Sequence, residues 1–476
     1  MTERYRNFKD SGEGKQQAVP SLWVWAGRII GSLWRRASGR SPYRSRLQLG
    51  WKVVDGSVSR HSVGISQTAR TEHLAILGKT GTGKSSLLRW LAAQDIVGGH
   101  GFVFFDLHGD ATPYLVRRVA LEESRLGRDL SARLIVIDPA DPEWSVGLNI
   151  LENRASSDAF VQIAEFTELL KHRWRLESLG ARTEEALRNA LLLLAENGLT
   201  LLELGPLLEN ASFRASCAAR ARNEETRRYF ELRYDVLSEA MQAVVREPIL
   251  NKTSFFSADP HFRHLVGQSR STFSLRSAME DGSWIVLNLH KGRLGEEAMT
   301  LGSLFLSLVK HALFSREHPR LFTLYCDEIQ NLVAYDSGLD TILSEARKFG
   351  VSVVSANQLL DQYSAKMRAA ILGVGTQIFF RLAALDAQQI GNALGGGRPL
   401  TELLKNLEKR HMVVKSGSEP WEHVCVPRLD DPRVNSASLY DRSRARWARR
   451  RSDVEREIAE RHRQLIRDDA SLKDWE

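Results

Sequence analysis

The amino-acid sequence predicts an α/β fold with a mainly parallel sheet and an inserted all-α domain. Two observations lead to this class. Short apolar or β-branched runs alternate with helical stretches between residues 73 and 150 and again between 284 and 382, which is typical of parallel strands covered on both faces. Between these two regions, residues 151–266 show apolar residues at helical spacing. At 476 residues, with 43% hydrophobic and 26% charged residues, the chain has room for two or three globular domains.

Residues 1–46 form a basic arm. Residues 1–60 contain twelve Lys or Arg and four Asp or Glu, which equals the net charge of +8 of the whole chain. Such an arm either meets nucleic acid or an anionic membrane surface, or is a solvated tail. Its apolar segment Val19–Trp34 is too short to span a bilayer, which needs about 20 apolar residues. Tryptophans beside Arg28 suit a helix that lies on a membrane surface, or one that packs on protein.

Cysteine usage and the amino-terminal pattern predict a cytoplasmic location, with peripheral contact at the inner face of the cell membrane left open. Cys217, Cys326 and Cys425 lie far apart and form no C-x-x-C motif, as in a reducing compartment. Nothing before Val19 is a charged start leading directly into an apolar core, so we expect no cleavable signal peptide.

The elements follow in order along the chain. Leu47–Ile65 reads as a β-hairpin, and the strand His73–Leu77 is followed by a glycine-rich turn and the helix Ser85–Ala93. In the all-α region, Thr200 and Glu203 form a capping box. The further predicted strands are Gly101–Phe105, Leu134–Ile137, Trp284–Leu289, Leu321–Cys326, Val351–Ala356 and Thr376–Leu382. From Tyr440, the charged tail is predicted to be one exposed helix.

The glycine-rich turn carries the strongest motif. Residues 78–85 (GKTGTGKS) match G-x-x-x-x-G-K-[ST] between a predicted strand and a predicted helix. In such a P-loop the backbone amides surround the phosphates, Lys84 reaches the β- and γ-phosphates, and the Ser85 hydroxyl ligates Mg²⁺. The sequence thus predicts ATP and Mg²⁺ as cofactors. The predicted nucleotide contacts are Gly78, Thr80, Gly81, Thr82, Gly83, Lys84, Ser85 and Ser86.

A P-loop enzyme also needs a second metal ligand and a group that activates water. The apolar run Leu321–Cys326 ends in Asp327-Glu328. Asp327 is the predicted partner of Ser85 at the metal, and Glu328 the predicted catalytic acid that polarises the attacking water.

Two polar residues flank the strand Val351–Ala356. Gln358 follows it, where it can sense the γ-phosphate or simply cap a loop. Arg347 precedes the strand, where it is either an arginine finger for a neighbouring subunit's nucleotide or a structural residue, with Arg381 as a competitor for the finger.

These motifs, in this order, resemble one family. The segments GKTGTGKS, FFDLHGD, LIVIDPADP, TEEALRNALLLL, STFSLRSAMEDGSWIVLNL, LYCDEIQNL, EARKFGVSVVSANQ and ILGVGTQIFFRL are similar to the conjugative coupling ATPases of type IV secretion systems, within the FtsK/HerA superfamily of DNA-pumping motors. The resemblance covers Leu47–Pro427. It implies a RecA-like ATPase domain, an all-α domain, a ring of six subunits, and single- or double-stranded DNA in the pore.

By the same resemblance, Lys84, Ser85, Asp327 and Glu328 keep their predicted roles, Arg347 becomes the trans-acting finger and Gln358 the γ-phosphate sensor. Asp106 and His108 in the DLHGD turn match the family without an assigned role. One departure is that many coupling proteins begin with a pair of transmembrane helices, whereas this chain has the short Trp-rich segment.

The predicted domains are the basic arm (1–46), two parts of the nucleotide-binding domain (47–150 and 267–430), the inserted all-α domain (151–266) and the charged helical tail (431–476). The predicted function is an ATP-driven DNA translocase that contacts the DNA backbone and works with a relaxase or secretion channel. A secretion ATPase for protein export or channel assembly, and an ATP-dependent recruitment hub, are the alternatives. Candidate pore arginines are Arg214, Arg220, Arg222, Arg227 and Arg228.

Overall fold

A computed structural model describes residues 43, 45–152, 161, 163–164, 166–168, 170, 180–295, 297–318, 320–333 and 339–473. The predicted arm, including its Trp-rich segment, lies almost wholly outside these residues. Among the described residues, no helix is both long enough and apolar enough to cross a membrane.

The strands are defined as follows. They are β1 (Arg46–Val54), β2 (Ser57–Ser66), β3 (Leu74–Leu77), β4 (Gly101–Asp106), β5 (Leu134–Ile137), β6 (Trp144–Ser145), β7 (Trp284–Asn288), β8 (Phe322–Cys326), β9 (Val351–Asn357), β10 (Thr376–Phe379), β11 (His411–Ser416), β12 (Glu422–Cys425) and β13 (Arg449–Arg450). Each strand predicted from the sequence is present, with ends shifted by up to three residues.

The helices are defined in the same way. They are α1 (Gln67–Arg70), α2 (Lys84–Gly98), α3 (Ala111–Leu126), α4 (Ala181–Glu196), α5 (Leu204–Glu209), α6 (Ala211–Ala219), α7 (Glu224–Tyr229), α8 (Glu239–Thr253), α9 (Phe255–Ala258), α10 (Pro260–Val266), α11 (Leu275–Asp281), α12 (Lys291–Leu294), α13 (Glu297–Phe314), α14 (Gln330–Val333), α15 (Leu339–Glu345), α16 (Ala365–Leu372), α17 (Ala384–Ala393), α18 (Gly397–Asn406), α19 (Ala437–Trp447) and α20 (Arg451–Lys473).

One sheet of eleven strands organises the molecule, in the order β2-β1-β12-β11-β10-β3-β9-β8-β4-β7-β5. The seven strands from β10 to β5 run parallel, and the four from β2 to β11 extend the sheet antiparallel at one end. The parallel strands β3, β4, β5, β7, β8 and β9 are buried along their whole length. The predicted fold class is therefore confirmed, while the antiparallel pair β11 and β12 was not foreseen.

Helices cover both faces of the sheet, and the strand period of two separates the cores. In β4, Phe102 and Phe104 face one core, which the apolar sides of α2, α3 and α19 complete. Val103 and Phe105 face the other core, which includes α13 and the helical region. The described residues of this region between 180 and 266 are helices and connecting turns.

The predicted capping box is present at the start of a short 3₁₀ turn. The Thr200 amide donates to the Glu203 carboxylate at 2.8 Å, and the Leu202 amide donates to the Thr200 hydroxyl at 3.2 Å. These bonds satisfy amides that the turn itself leaves without partners.

The tail is not one exposed helix, contrary to the prediction. Two helices, α19 and α20, are separated by β13, which pairs antiparallel with β6. Val454 and Ile458, four positions apart on α20, are both fully buried against the helical region. The charge run concealed these apolar positions in the sequence. Arginines near them form ion pairs with acidic side chains of the folded chain, as Arg461 does with Glu203.

Candidate nucleotide-binding site

The site lies at the carboxyl ends of neighbouring parallel strands, where an open α/β sheet binds ligands. Strand β3 ends at Leu77, residues 78–83 form the loop, and α2 begins at Lys84. Gly81 has φ of +77° and Gly83 has φ of +123°, conformations that L side chains rarely adopt. The loop therefore has the backbone path that lets amides face a phosphate at a helix amino terminus.

Lys84 points back into the loop. Its Nζ donates to the carbonyl of Gly78 at 2.6 Å and to that of Lys79 at 3.1 Å. Burial lowers the pKa of the Lys84 ammonium, whereas the negative charges of Asp327 and Glu328 act in the opposite direction. The positive charge of Lys84 thus lies within the loop, near Asp327 and Glu328. Ser86 lies next to Ser85 in the first turn of α2.

Ser85 and Asp327 are in direct contact. The Ser85 hydroxyl donates to Oδ2 of Asp327 at 2.6 Å, and Asp327 is buried. Burial raises the pKa of the Asp327 carboxyl, although the Ser85 hydrogen bond and the Lys84 charge lower it in part. A hydroxyl and a buried carboxylate side by side are an oxygen donor set that fits Mg²⁺.

Glu328 and Gln358 also meet, and they join the acidic pair to the loop. Nε2 of Gln358 donates to Oε1 of Glu328 at 2.7 Å, and the Thr80 hydroxyl donates to Oε1 of Gln358 at 3.0 Å. Glu328 has φ of +49°, a left-handed conformation that is strained for a glutamate. Gln358 is therefore bonded on both sides within the site.

The DLHGD turn has two different residues of interest. Asp106 accepts from the amides of Gly109 and Thr112 and from the Thr112 hydroxyl at 2.7–2.8 Å, so it holds the turn and the start of α3. His108 lies closer to the chemistry, with Nε2 at 3.9 Å from Oε1 of Glu328.

Arg347 is not in this site. It precedes β9 at the amino edge of the sheet, and the seven residues of β9 separate it from Gln358 by about 20 Å. Its exposed guanidinium pairs with Glu72 at 3.1 Å. Arg381 is nearer, since its carbonyl accepts from the Lys79 amide at 2.9 Å, and its side chain is exposed.

Two residues of the site were missed from the sequence. The Arg410 amide donates to the Thr82 carbonyl at 2.8 Å, which ties the antiparallel strands to the P-loop. Nδ2 of Asn331 donates to Oε2 of Glu328 at 3.0 Å. Nothing in the local sequence singles out Arg410, but the spacing of three from Glu328 on a helical turn could have indicated Asn331.

A family comparison agrees with this geometry. The model of the family described as the type IV secretion-system coupling protein DNA-binding domain matches residues 58–409, most of the chain. The chain belongs to this family. The resemblance inferred from the motifs is confirmed. No curated protein matches the chain in sequence.

Solved structures similar to this chain include coupling proteins. The unbound monoclinic form of the bacterial conjugative coupling protein TrwBdeltaN70 is 21% identical, covers 85% of this chain and 94% of its own, and has a TM-score of 0.53. The plasmid coupling protein TrwB in complex with ADP and Mg²⁺ is 21% identical, covers 82% and 97%, and has a TM-score of 0.51. VirB4 of Thermoanaerobacter pseudethanolicus is 16% identical, covers 81% and 97%, and has a TM-score of 0.51. At these identities the likeness shows a common fold, a RecA-like P-loop domain with an all-α domain.

Proposed function

We propose that this coupling-family chain is an ATPase that uses hydrolysis to move DNA in conjugative or type IV secretion-type transfer. The observation that carries the proposal is that two sets of side-chain contacts lie together at one edge of the sheet. Ser85 meets Asp327, and Gln358 bridges Glu328 to Thr80 of the P-loop. A complete set of hydrolytic groups is not needed by a domain that only binds nucleotide. TrwB, a neighbour in fold, has been solved with an ATP analogue and with ADP and Mg²⁺.

Each residue then has one part in hydrolysis. The loop amides and Lys84 would bind the phosphates, and Ser85 with Asp327 would hold Mg²⁺, which would supply positive charge to offset that of the phosphates. Glu328 orients the attacking water and takes its proton at a carboxylate oxygen. Gln358 contacts both Glu328 and Thr80 of the P-loop. A γ-phosphate bound at the loop therefore changes the contacts of Gln358, which in turn touches the catalytic acid Glu328.

DNA is the cargo that the family description favours, since it names a DNA-binding domain. The helical region offers Arg220, Arg222 and Arg228 as exposed cations for a phosphate backbone. Arg214 is a different case, because it is buried and its Nε donates to Asp235 at 2.7 Å. Arg214 is therefore not a candidate pore residue, whereas the exposed arginines remain candidates.

A ring of six subunits, which the family resemblance implies, is part of the proposal, and in it Arg347 acts between subunits. It is exposed at the sheet edge opposite its own P-loop, so it can reach a nucleotide held by a second copy. A relaxase or secretion channel as partner, and membrane contact through the basic arm at the inner face of the cell membrane, remain part of the same proposal.

The test is the ATPase rate of the purified chain with and without DNA at low and high salt. Glu328→Gln removes the base and keeps the shape, and Glu419→Gln makes the same change at an exposed position in the β11–β12 turn. Stimulation by DNA that weakens at high salt, is lost in Glu328→Gln and persists in Glu419→Gln supports a DNA translocase. Hydrolysis indifferent to DNA would instead indicate an ATPase for protein export or channel assembly, and no hydrolysis would indicate a recruitment hub.

A further inference from the structure

Glu328 is held at both carboxylate oxygens by two different amides. Gln358 donates to Oε1 at 2.7 Å, and Asn331 donates to Oε2 at 3.0 Å. We infer that Asn331 is a positioning residue that fixes the orientation of the Glu328 carboxylate for hydrolysis. This inference rests on the proposed ATPase function, and it assigns a role that neither the P-loop motif nor the acidic pair provides.

Asn331 stands on a firmly packed turn. Its own amide donates to the Glu328 carbonyl at 2.9 Å, so α14 follows the catalytic acid directly. Ile329 and Leu332, on either side, are fully buried. The Ser303 hydroxyl of α13 donates to the Leu332 carbonyl at 2.8 Å. The backbone that carries the Asn331 amide is therefore fixed by burial and by a hydrogen bond from a neighbouring helix.

The close approach of α13 gives this turn little room to move. A Cβ added at Gly302 would collide with the Leu332 side chain and with Leu289. Because protein interiors are close-packed, the turn cannot rotate without displacing α13. Asn331 thus has a defined place from which to hold Glu328, whose own left-handed backbone is strained.

The two amides differ in what else they touch. Gln358 follows β9 directly and also accepts from the Thr80 hydroxyl at 3.0 Å, so its contacts depend on the state of the P-loop. The Asn331 contact stays within the segment that carries Glu328. When Gln358 turns toward a γ-phosphate, Asn331 still holds Oε2 and leaves Oε1 to face the water. Asn331 therefore fixes the orientation of the Glu328 carboxylate, whereas the contacts of Gln358 change with the nucleotide at the P-loop.

The test compares three substitutions at one position. Asn331→Leu keeps the size and removes the donor, and Asn331→Asp keeps the shape and replaces the donor with a like charge. Asn331→Gln keeps an amide donor. We expect Asn331→Leu and Asn331→Asp to lower kcat by about 10- to 100-fold, less than the roughly 10²- to 10⁴-fold effect of a general base itself, with KM and the Kd for a fluorescent ATP analogue unchanged. We expect Asn331→Gln to recover most of the rate.

Two controls separate positioning from folding. Asn435→Leu removes an asparagine whose Oδ1 accepts from the Ala437 amide at 3.0 Å, near the start of α19, and should leave kcat unchanged. In a Glu328→Gln background, Asn331→Leu should lower the residual rate no further, because the held carboxylate is already gone.

Three results would overturn the inference. Wild-type kcat in Asn331→Leu would show that the contact does not act in catalysis. A loss of thermal stability and nucleotide affinity that Asn331→Gln fails to restore would show a purely structural role. Absence of turnover in the wild-type chain with DNA present would overturn the proposed function and this assignment together, and is recognisable because it precedes any substitution.

Discussion

The Ser85 hydroxyl donates a hydrogen bond of 2.6 Å to Oδ2 of Asp327, although 242 positions separate the two residues along the chain. The sheet makes this contact possible because β9 pairs with both β3 and β8, so the ends of all three strands lie at one edge. The contact joins the two halves of the proposed metal site.

The metal requirement follows from this pair. Asp327→Asn keeps the shape of the side chain and removes the charge, so Mg²⁺ should bind more weakly. We expect the Mg²⁺ concentration for half-maximal hydrolysis to rise and kcat to fall by about 100-fold or more. Titration of Mg²⁺ at saturating ATP measures both, and Asp441→Asn on the exposed face of α19 is the control. An unchanged Mg²⁺ dependence would remove Asp327 from the metal site.

Arg347 should act on a neighbouring subunit. Arg347→Ala alone should lower turnover by about 10³-fold, the usual size of an arginine-finger effect, and Lys84→Ala should be inactive because it lacks the phosphate contact. Mixing the two inactive variants creates interfaces where an intact P-loop meets an intact Arg347. We therefore expect measurable ATPase activity in the mixture. A mixture as inactive as its parts would argue that Arg347 does not complete a site in trans.

His73 should make stability depend on pH. It is buried, and Nδ1 accepts from the Val353 amide at 3.1 Å. Burial lowers the pKa of His73 to about 4. Between pH 6.5 and 4 the unfolded chain binds a proton that the folded chain does not, so the free energy of unfolding falls as pH falls. The loss should be on the order of 3 kcal/mol by pH 4.

Urea unfolding at pH 7 and pH 5 measures this effect. His73→Asn is the matched variant, because asparagine does not titrate and tolerates the left-handed φ of +67° at this position. The variant should lose less stability than the wild type between the two pH values. Equal losses in both proteins would assign the acid sensitivity to other groups.

A buried ion pair should matter for folding. Both terminal nitrogens of Arg70 donate to Asp95 at 2.7 Å, and the Tyr325 hydroxyl donates to the same carboxylate at 2.7 Å. Asp95→Ala would leave the Arg70 charge buried without a counter-charge and should destabilise by about 3–5 kcal/mol. The double variant Arg70→Met with Asp95→Leu should lose much less. Chemical unfolding compares them, and equal losses would show that packing rather than charge dominates.

Much of the nucleotide site could be predicted from the sequence because its functional residues come directly after predicted strands. The P-loop and the acid pair come directly after apolar runs, and the ends of parallel strands share an edge. Asn331 escaped prediction because its importance comes from one side-chain contact. The roles of Lys84, Ser85, Asp327, Glu328, Arg347 and Gln358 stay predictions until they are measured.

The elements missed from the sequence share a physical cause. Strands β11 and β12 lie in the antiparallel extension, where His411 and Glu422 are half-buried and the apolar run is short. The tail was misjudged because a high density of arginine hides two apolar positions. Both cases depend on partners distant in sequence, such as the pairing of β13 with β6, which local patterns do not encode.

The contacts of α20 with the helical region also set an order of events during synthesis. Arg461 on α20 donates to Glu203 at 3.1 Å and to the Gly267 carbonyl at 2.7 Å, so α20 joins two points of the helical region. Those points leave the ribosome roughly two hundred residues earlier than their partner. The helical region therefore completes these contacts only after α20 has been synthesised, and until then the apolar surface that α20 covers is exposed to aggregation.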